Sequence, residues 1–121
     1  MAKYNKNNTE EDIFESSNKR FLLSTGEFPE EICFKFSHPK RIKSVIIEGR
    51  GLKKIAVETS EIDKEEGFKT QAEQNDIPKG SGFQNIKLNL SKNPNVLVIR
   101  IKLIEGYEDF FTIRSLDIQE N

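Results

Sequence analysis

Apolar and polar residues alternate along most of this chain with a period of two. Ile32, Phe34 and Phe36 fall on one parity, and Glu31, Cys33, Lys35 and Ser37 on the other. One face of segment 31–36 is therefore apolar and the other can meet water, the pattern of an antiparallel, half-exposed strand. A His38-Pro39 turn leads to a second run at 41–48 that opens on basic residues, and further runs follow at 53–59, 68–72, 84–90, 95–103 and 110–119. Helical periodicity is almost absent. Short strands separated by turn signals predict an all-β jelly-roll sandwich of about eight antiparallel strands.

Two of these runs carry more detail. In 95–103 one parity reads Leu97, Ile99, Ile101, Leu103, while the other begins with Val96 and Val98 and ends with Arg100 and Lys102. Such a strand is central, buried on both sides at its start and emerging later. In 110–119, Phe111 and Ile113 share one parity and Leu116 and Ile118 the other, so a β-bulge near Arg114 or Ser115 is needed to keep all four inside. The remaining segments are less regular. Residues 1–10 are polar and read as a flexible arm, with one domain over 11–121. Residues 11–15 begin the first strand, and 21–23 form a short apolar segment that buries under a loop before the turn Ser24-Thr25-Gly26.

Composition supports one self-sufficient core. The chain has 121 residues, 35% of them hydrophobic, with nine Phe and no Trp. Each fully buried Phe, Leu, Ile or Val contributes roughly 1.5–3 kcal/mol, so no disulfide is required. The single Cys cannot form one internally. Net charge is −1, from 19 Lys plus Arg against 20 Asp plus Glu, which gives no whole-molecule attraction to nucleic acid or an anionic membrane. No apolar run approaches a membrane span, and the first residues lack a secretory h-region, so a soluble intracellular protein is expected.

No constellation predicts catalysis, a cofactor or a metal. The acidic stretch 61–67 places its Gly one position late for an EF-hand and has no helical flanks, so it reads as a solvated loop. His38 belongs to a turn, and one His with one Cys cannot make an ordinary zinc site. Cys33 points away from Ile32 and Phe34, as a surface thiol or one covered by a second element or a partner. The strings EGRG and KGSG are turns rather than phosphate loops.

Binding is the chemistry left open. Lys40, Arg41 and Lys43, then Lys53 and Lys54, then Arg100, Lys102 and Arg114 would form a basic patch if their strands are neighbours; ordinary solubilising charge on outward strand faces is the simpler reading. Tyr107, Phe110 and Phe111 concentrate aromatic surface at the start of the last strand, for the core or for a partner. The candidate partner-binding residues are therefore Cys33, Lys35, Lys40, Arg41, Lys43, Arg100, Lys102, Tyr107, Phe110 and Arg114.

The succession FPEEICFKF, RIKSVIIEG, KKIAVETS, FQNIKLNL, NVLVIRIKLIEG and DFFTIRSLDI resembles the discoidin-like, galactose-binding-domain-like jelly roll over roughly 11–119. More narrowly, Ser24-Thr25-Gly26 with Phe28-Pro29-Glu30-Glu31, and the segment 108–113 with Ser115, are similar to the small β-sandwich subunits of the intraflagellar transport B complex. That resemblance implies a non-enzymatic adaptor in the cilium or flagellum and cytoplasm, paired with a Rab-like small GTPase and other transport-complex subunits. The alternative is a structural jelly roll in the axoneme, its basic faces meeting tubulin or axonemal proteins. Some relatives hold calcium in an Asp-Gly-Asn-type loop. The matching segment 15–20 here has Glu15, lacks the Gly and adds Lys19 and Arg20, so no calcium site is expected. Sugar binding is not expected either, for want of a Trp platform and an obvious polar cluster.

Overall fold

A computed structural model of the chain describes residues 19–91 and 94–120. The arm at 1–10, the strand start at 11–15 and most of the segment matched to a calcium loop lie outside these residues. The described elements are β1 (Lys19–Glu27), β2 (Glu30–Arg50), β3 (Leu52–Ser60), a 3-10 turn (Glu65–Gly67), β4 (Lys69–Gln74), β5 (Gln84–Asn89), β6 (Asn95–Gly106) and β7 (Phe110–Glu120). Every strand pairing among them is antiparallel.

The long β2 joins two layers. Its first half pairs with β6, followed outward by β3 and β4, while its second half pairs with β7 on one side and β5 on the other, with β1 beyond β7. Two four-stranded sheets result, and β2 supplies a strand to each. The expected eight strand positions are thus filled by seven strands among the described residues. The two runs 31–36 and 41–48 are the halves of this one strand. Between Lys35 and Lys40 the register breaks, so that four residues of β2 face one of β6. Pro39 has no N–H to give to a ladder, which suits it to such a break.

The period-two pattern is realised as burial. Ile32, Phe34, Phe36, Ile55, Val57, Ile99, Ile101 and Leu103 from one sheet meet Ile42, Val45, Ile47, Ile86, Leu88, Ile113, Leu116 and Ile118 from the other in a single core. The bulge expected near Arg114 is present: Glu48 stands opposite Ser115 and Gly49 opposite Ile113, leaving Arg114 as the extra residue. It brings Phe111, Ile113, Leu116 and Ile118 all inside. One expectation is corrected. Residues 21–23 and Ser24-Thr25-Gly26, expected as an irregular apolar segment and a turn, both belong to β1, an edge strand on β7 with a register shift between Phe21 and Ser24. A shift of this kind breaks the strict alternation by which a strand is read from sequence.

The acidic 61–67 segment is largely exposed, but it does not hang free. The Lys35 ammonium reaches the Asp63 carboxylate at 2.9 Å, and the Ile62 N–H donates to the Ser60 hydroxyl at 3.1 Å. This segment folds back on the outer face of the first sheet. There Val98, opposite both Lys35 and Ser60, is fully buried.

Candidate functional site

Pairing directions bring four connections to one end of the sandwich: β1–β2, β2–β3, β4–β5 and β6–β7. They are stitched together there. The Phe28 N–H donates to the Asp109 carbonyl (3.3 Å), the Tyr107 N–H to the Gly51 carbonyl (3.2 Å) and the Ile77 N–H to the Lys53 carbonyl (3.0 Å). Gln84, buried at the start of β5, accepts from the Leu52 N–H at 2.8 Å and donates to the carbonyls of Leu52 (2.6 Å) and Pro78 (2.9 Å). Its amide satisfies backbone groups of two connections that strand pairing leaves over. Phe28 packs edge-on against Phe111 with ring centres 5.3 Å apart, which closes the core beneath.

Above that closure lies an open cavity of about 660 Å³ lined by Glu27, Phe28, Pro29, Lys53, Ile104, Glu105, Gly106, Glu108 and Asp109. Glu27, Glu105, Glu108 and Asp109 are all exposed acceptors, and the Lys53 ammonium is the charged donor among the lining residues. Lys53 is held over the Tyr107 ring, 5.6 Å from its centre. Phe110, directly after Asp109 and opposite Glu27 in the β1–β7 ladder, is 62% exposed, and Tyr107 is 38% exposed. Exposed aromatic surface therefore adjoins the polar cavity wall, although neither Phe110 nor Tyr107 lines the cavity itself. Such an arrangement can take a ligand that carries hydroxyls on one side and C–H groups on another. No group of three or more His, Cys, Asp or Glu side chains with metal-binding geometry occurs among the described residues.

The sequence candidates are distributed over three places. Cys33, Lys35, Arg100 and Lys102 share the outer face of the first sheet, where Cys33 is half-buried opposite Arg100. Their charge is locally balanced. Arg100 engages Glu58 through two donors and stacks on Phe68 at 4.0 Å, while Lys102 lies 3.6 Å from the same carboxylate. Lys40, Arg41 and Lys43 sit at the opposite end from the cavity, Lys40 within 3.5 Å of Glu120. Arg114, on the outer face of the second sheet, pairs with Glu48 at 2.7 Å. The basic residues do not gather into one patch. Of the candidates, Tyr107 and Phe110 adjoin the cavity-lining residues Gly106, Glu108 and Asp109 in the chain.

The structure also supplies the polar cluster that the sequence was expected to lack. Glu27, Lys53 and the acidic residues of 105–109 are far apart in the chain and meet only when the sandwich closes. Strand alternation carried a usable signal for them: connections separated by an even number of strand segments share an end.

No protein-family model and no curated protein matches the chain. Solved structures do. A family 32 carbohydrate-binding module of Streptococcus pneumoniae EndoD superposes with a TM-score of 0.65 at 10% identity, covering 82% of this chain and 75% of its own. The GH31 CBM32-2 module bound to GalNAc gives 0.63 at 19%, covering 80% and 68%. The family 32 module of C. perfringens NanJ, in complex with galactose, gives 0.59 at 13%, covering 77% and 68%. The likeness is one of fold, and the chain has the discoidin-like, galactose-binding-domain-like jelly roll.

These findings correct the narrower expectation. The likeness runs to carbohydrate-binding modules and gives no support to a ciliary transport subunit, a Rab-like GTPase partner, or an axonemal role with tubulin. The physical reason lies in the motifs used. Phe28 and Phe111 form the ring contact that closes the core, Ile113 is buried, and Glu30 and Glu31 open β2. Residues so occupied report the jelly roll and do not separate its subfamilies.

Proposed function

We propose that this chain is a non-catalytic carbohydrate-binding module that takes a sugar in the cavity between the β1–β2 and β6–β7 connections. The observation that carries the reading is a cavity lined by four carboxylates and Lys53, with the exposed Phe110 paired to its wall residue Glu27 and next in the chain to Asp109. A sugar ring offers hydroxyl donors to Glu27, Glu105, Glu108 and Asp109, hydroxyl or ring oxygens to Lys53, and a C–H face to Phe110. The fold-level likeness to modules with galactose and GalNAc bound supports the same reading. The binding role fits the side-chain chemistry as well. His38 interacts with Ser37 at the far end of the sandwich and Cys33 lies on an outer sheet face, so neither stands at the cavity.

The test is retention of the whole chain on a panel of neutral immobilised glycans, compared with Phe110→Ala. Binding to at least one galactose- or hexosamine-bearing glycan, weakened about tenfold by the substitution, is the expected result. A panel without retention, or retention indifferent to Phe110, would overturn the reading.

A further inference from the structure

On the outer face of the second sheet, two exposed arginines lie over the half-buried Phe83 ring. The Arg50 guanidinium lies 4.5 Å from its centre and that of Arg114 4.6 Å. The bulge in β7 puts Arg114 beside Glu48, and the two form a bidentate pair at 3.1 and 2.7 Å. The Ser115 hydroxyl donates to the same carboxylate at 3.2 Å. Arg50 is different, because no carboxylate of the described residues stands within ion-pair distance of it. Two like charges lie over one ring, and Glu48 compensates one of them. A guanidinium stacked on an aromatic face has its plane fixed and its N–H fork available, and that fork matches a carboxylate or sulfate in two hydrogen bonds.

The location narrows the ligand. Arg50 directly precedes Gly51, whose carbonyl accepts the Tyr107 N–H at the cavity rim, so the arginine pair lies at the same end of the sandwich as the cavity. The cavity itself, with four carboxylates against one ammonium, repels an anionic substituent. A glycan that binds there and carries an acidic group must direct that group elsewhere, and of the two guanidiniums on Phe83 at that end Arg50 is the one with no carboxylate of the described residues within ion-pair distance. We infer that Arg50, backed by Phe83 and Arg114, is a second subsite that takes the sulfate ester or carboxylate of an acidic polysaccharide. The choice of a glycan as the bearer of the anion rests on the carbohydrate reading of the cavity; the anion site itself does not.

Isothermal titration of the whole chain with a sulfated galactan oligosaccharide and its desulfated counterpart, at low and high salt, tests the inference. The sulfated ligand binds about tenfold more tightly at low salt, and this advantage shrinks as salt rises. Arg50→Gln removes the advantage, Phe83→Leu reduces it while leaving the charge in place, and Lys69→Gln, an equal loss of charge on β4, leaves it intact. Affinity for the desulfated ligand is unchanged by Arg50→Gln and falls with Phe110→Ala, so failure of the cavity reading is seen separately. Equal affinity for the two ligands, or an advantage that survives Arg50→Gln, overturns the inference. So does Arg50-dependent binding of an acidic phosphopeptide or a phosphatidylserine vesicle with no preference for the sulfated glycan.

Discussion

The Tyr107 hydroxyl donates to the Ile77 carbonyl at 2.5 Å, tying the β6–β7 connection to the long β4–β5 connection. The Ile77 N–H in turn donates to the Lys53 carbonyl, and the Lys53 ammonium lies over the Tyr107 ring. One side chain thereby sets the position of the cavity's charged donor. Tyr107→Phe keeps the ring but leaves the carbonyl of the buried Ile77 without its donor. The expected loss is about 1 kcal/mol of stability in urea unfolding, while the ring beneath the Lys53 ammonium is retained. An unchanged unfolding midpoint would show that the bond carries no weight.

Gln84 is the second brace. Its amide meets three backbone groups of Leu52 and Pro78 in a buried setting. Gln84→Leu, close in volume, strips all three of their partner, and a destabilisation of about 3 kcal/mol is expected from equilibrium unfolding. A loss below about 1 kcal/mol would mean that water or a shifted loop replaces the amide without cost.

Gly106 ends β6 on the cavity wall. A methyl group there would press on the Phe28 ring and stand 2.5 Å from the Gly51 carbonyl, a backbone atom that cannot swing aside. Gly106→Ala is expected to cost about 1–3 kcal/mol and to distort the cavity. Gly82→Ala is the contrast, with nothing within 4 Å of the added carbon and an ordinary backbone, so its stability should match or slightly exceed that of the parent chain. Thermal unfolding of the two variants side by side decides the point.

Some of this was legible in the residues and some was not, for identifiable reasons. The parity of Ile32, Phe34 and Phe36 announced a core-facing strand, and the parity change between Ile113 and Leu116 announced the bulge at Arg114, because burial imposes a period of two on any half-exposed strand. Strand β1 escaped notice: a register shift interrupts its alternation, and Ser24-Thr25-Gly26 is read locally as a turn. The cavity escaped for a topological reason. Glu27, Lys53 and Asp109 form no local motif; strand alternation places their connections at one end, but they become neighbours only through sheet closure. The basic residues misled in the opposite sense. Arg100 and Arg114 suggested a shared patch, yet Glu58, opposite Arg100, and Glu48, beside the bulged Arg114, balance each locally.

The central claim is that a sugar enters the cavity beside Phe110. Backbone amide chemical shifts, followed by NMR while the glycan selected by the panel is titrated into the whole chain, test it most directly. Saturable shifts are predicted at Lys53, Gly106, Tyr107, Glu108, Asp109 and Phe110, with the amides of Cys33, Lys35 and Arg100 on the first sheet's outer face unmoved. Shifts centred on that outer face, or no saturable shift at the cavity residues, would contradict it.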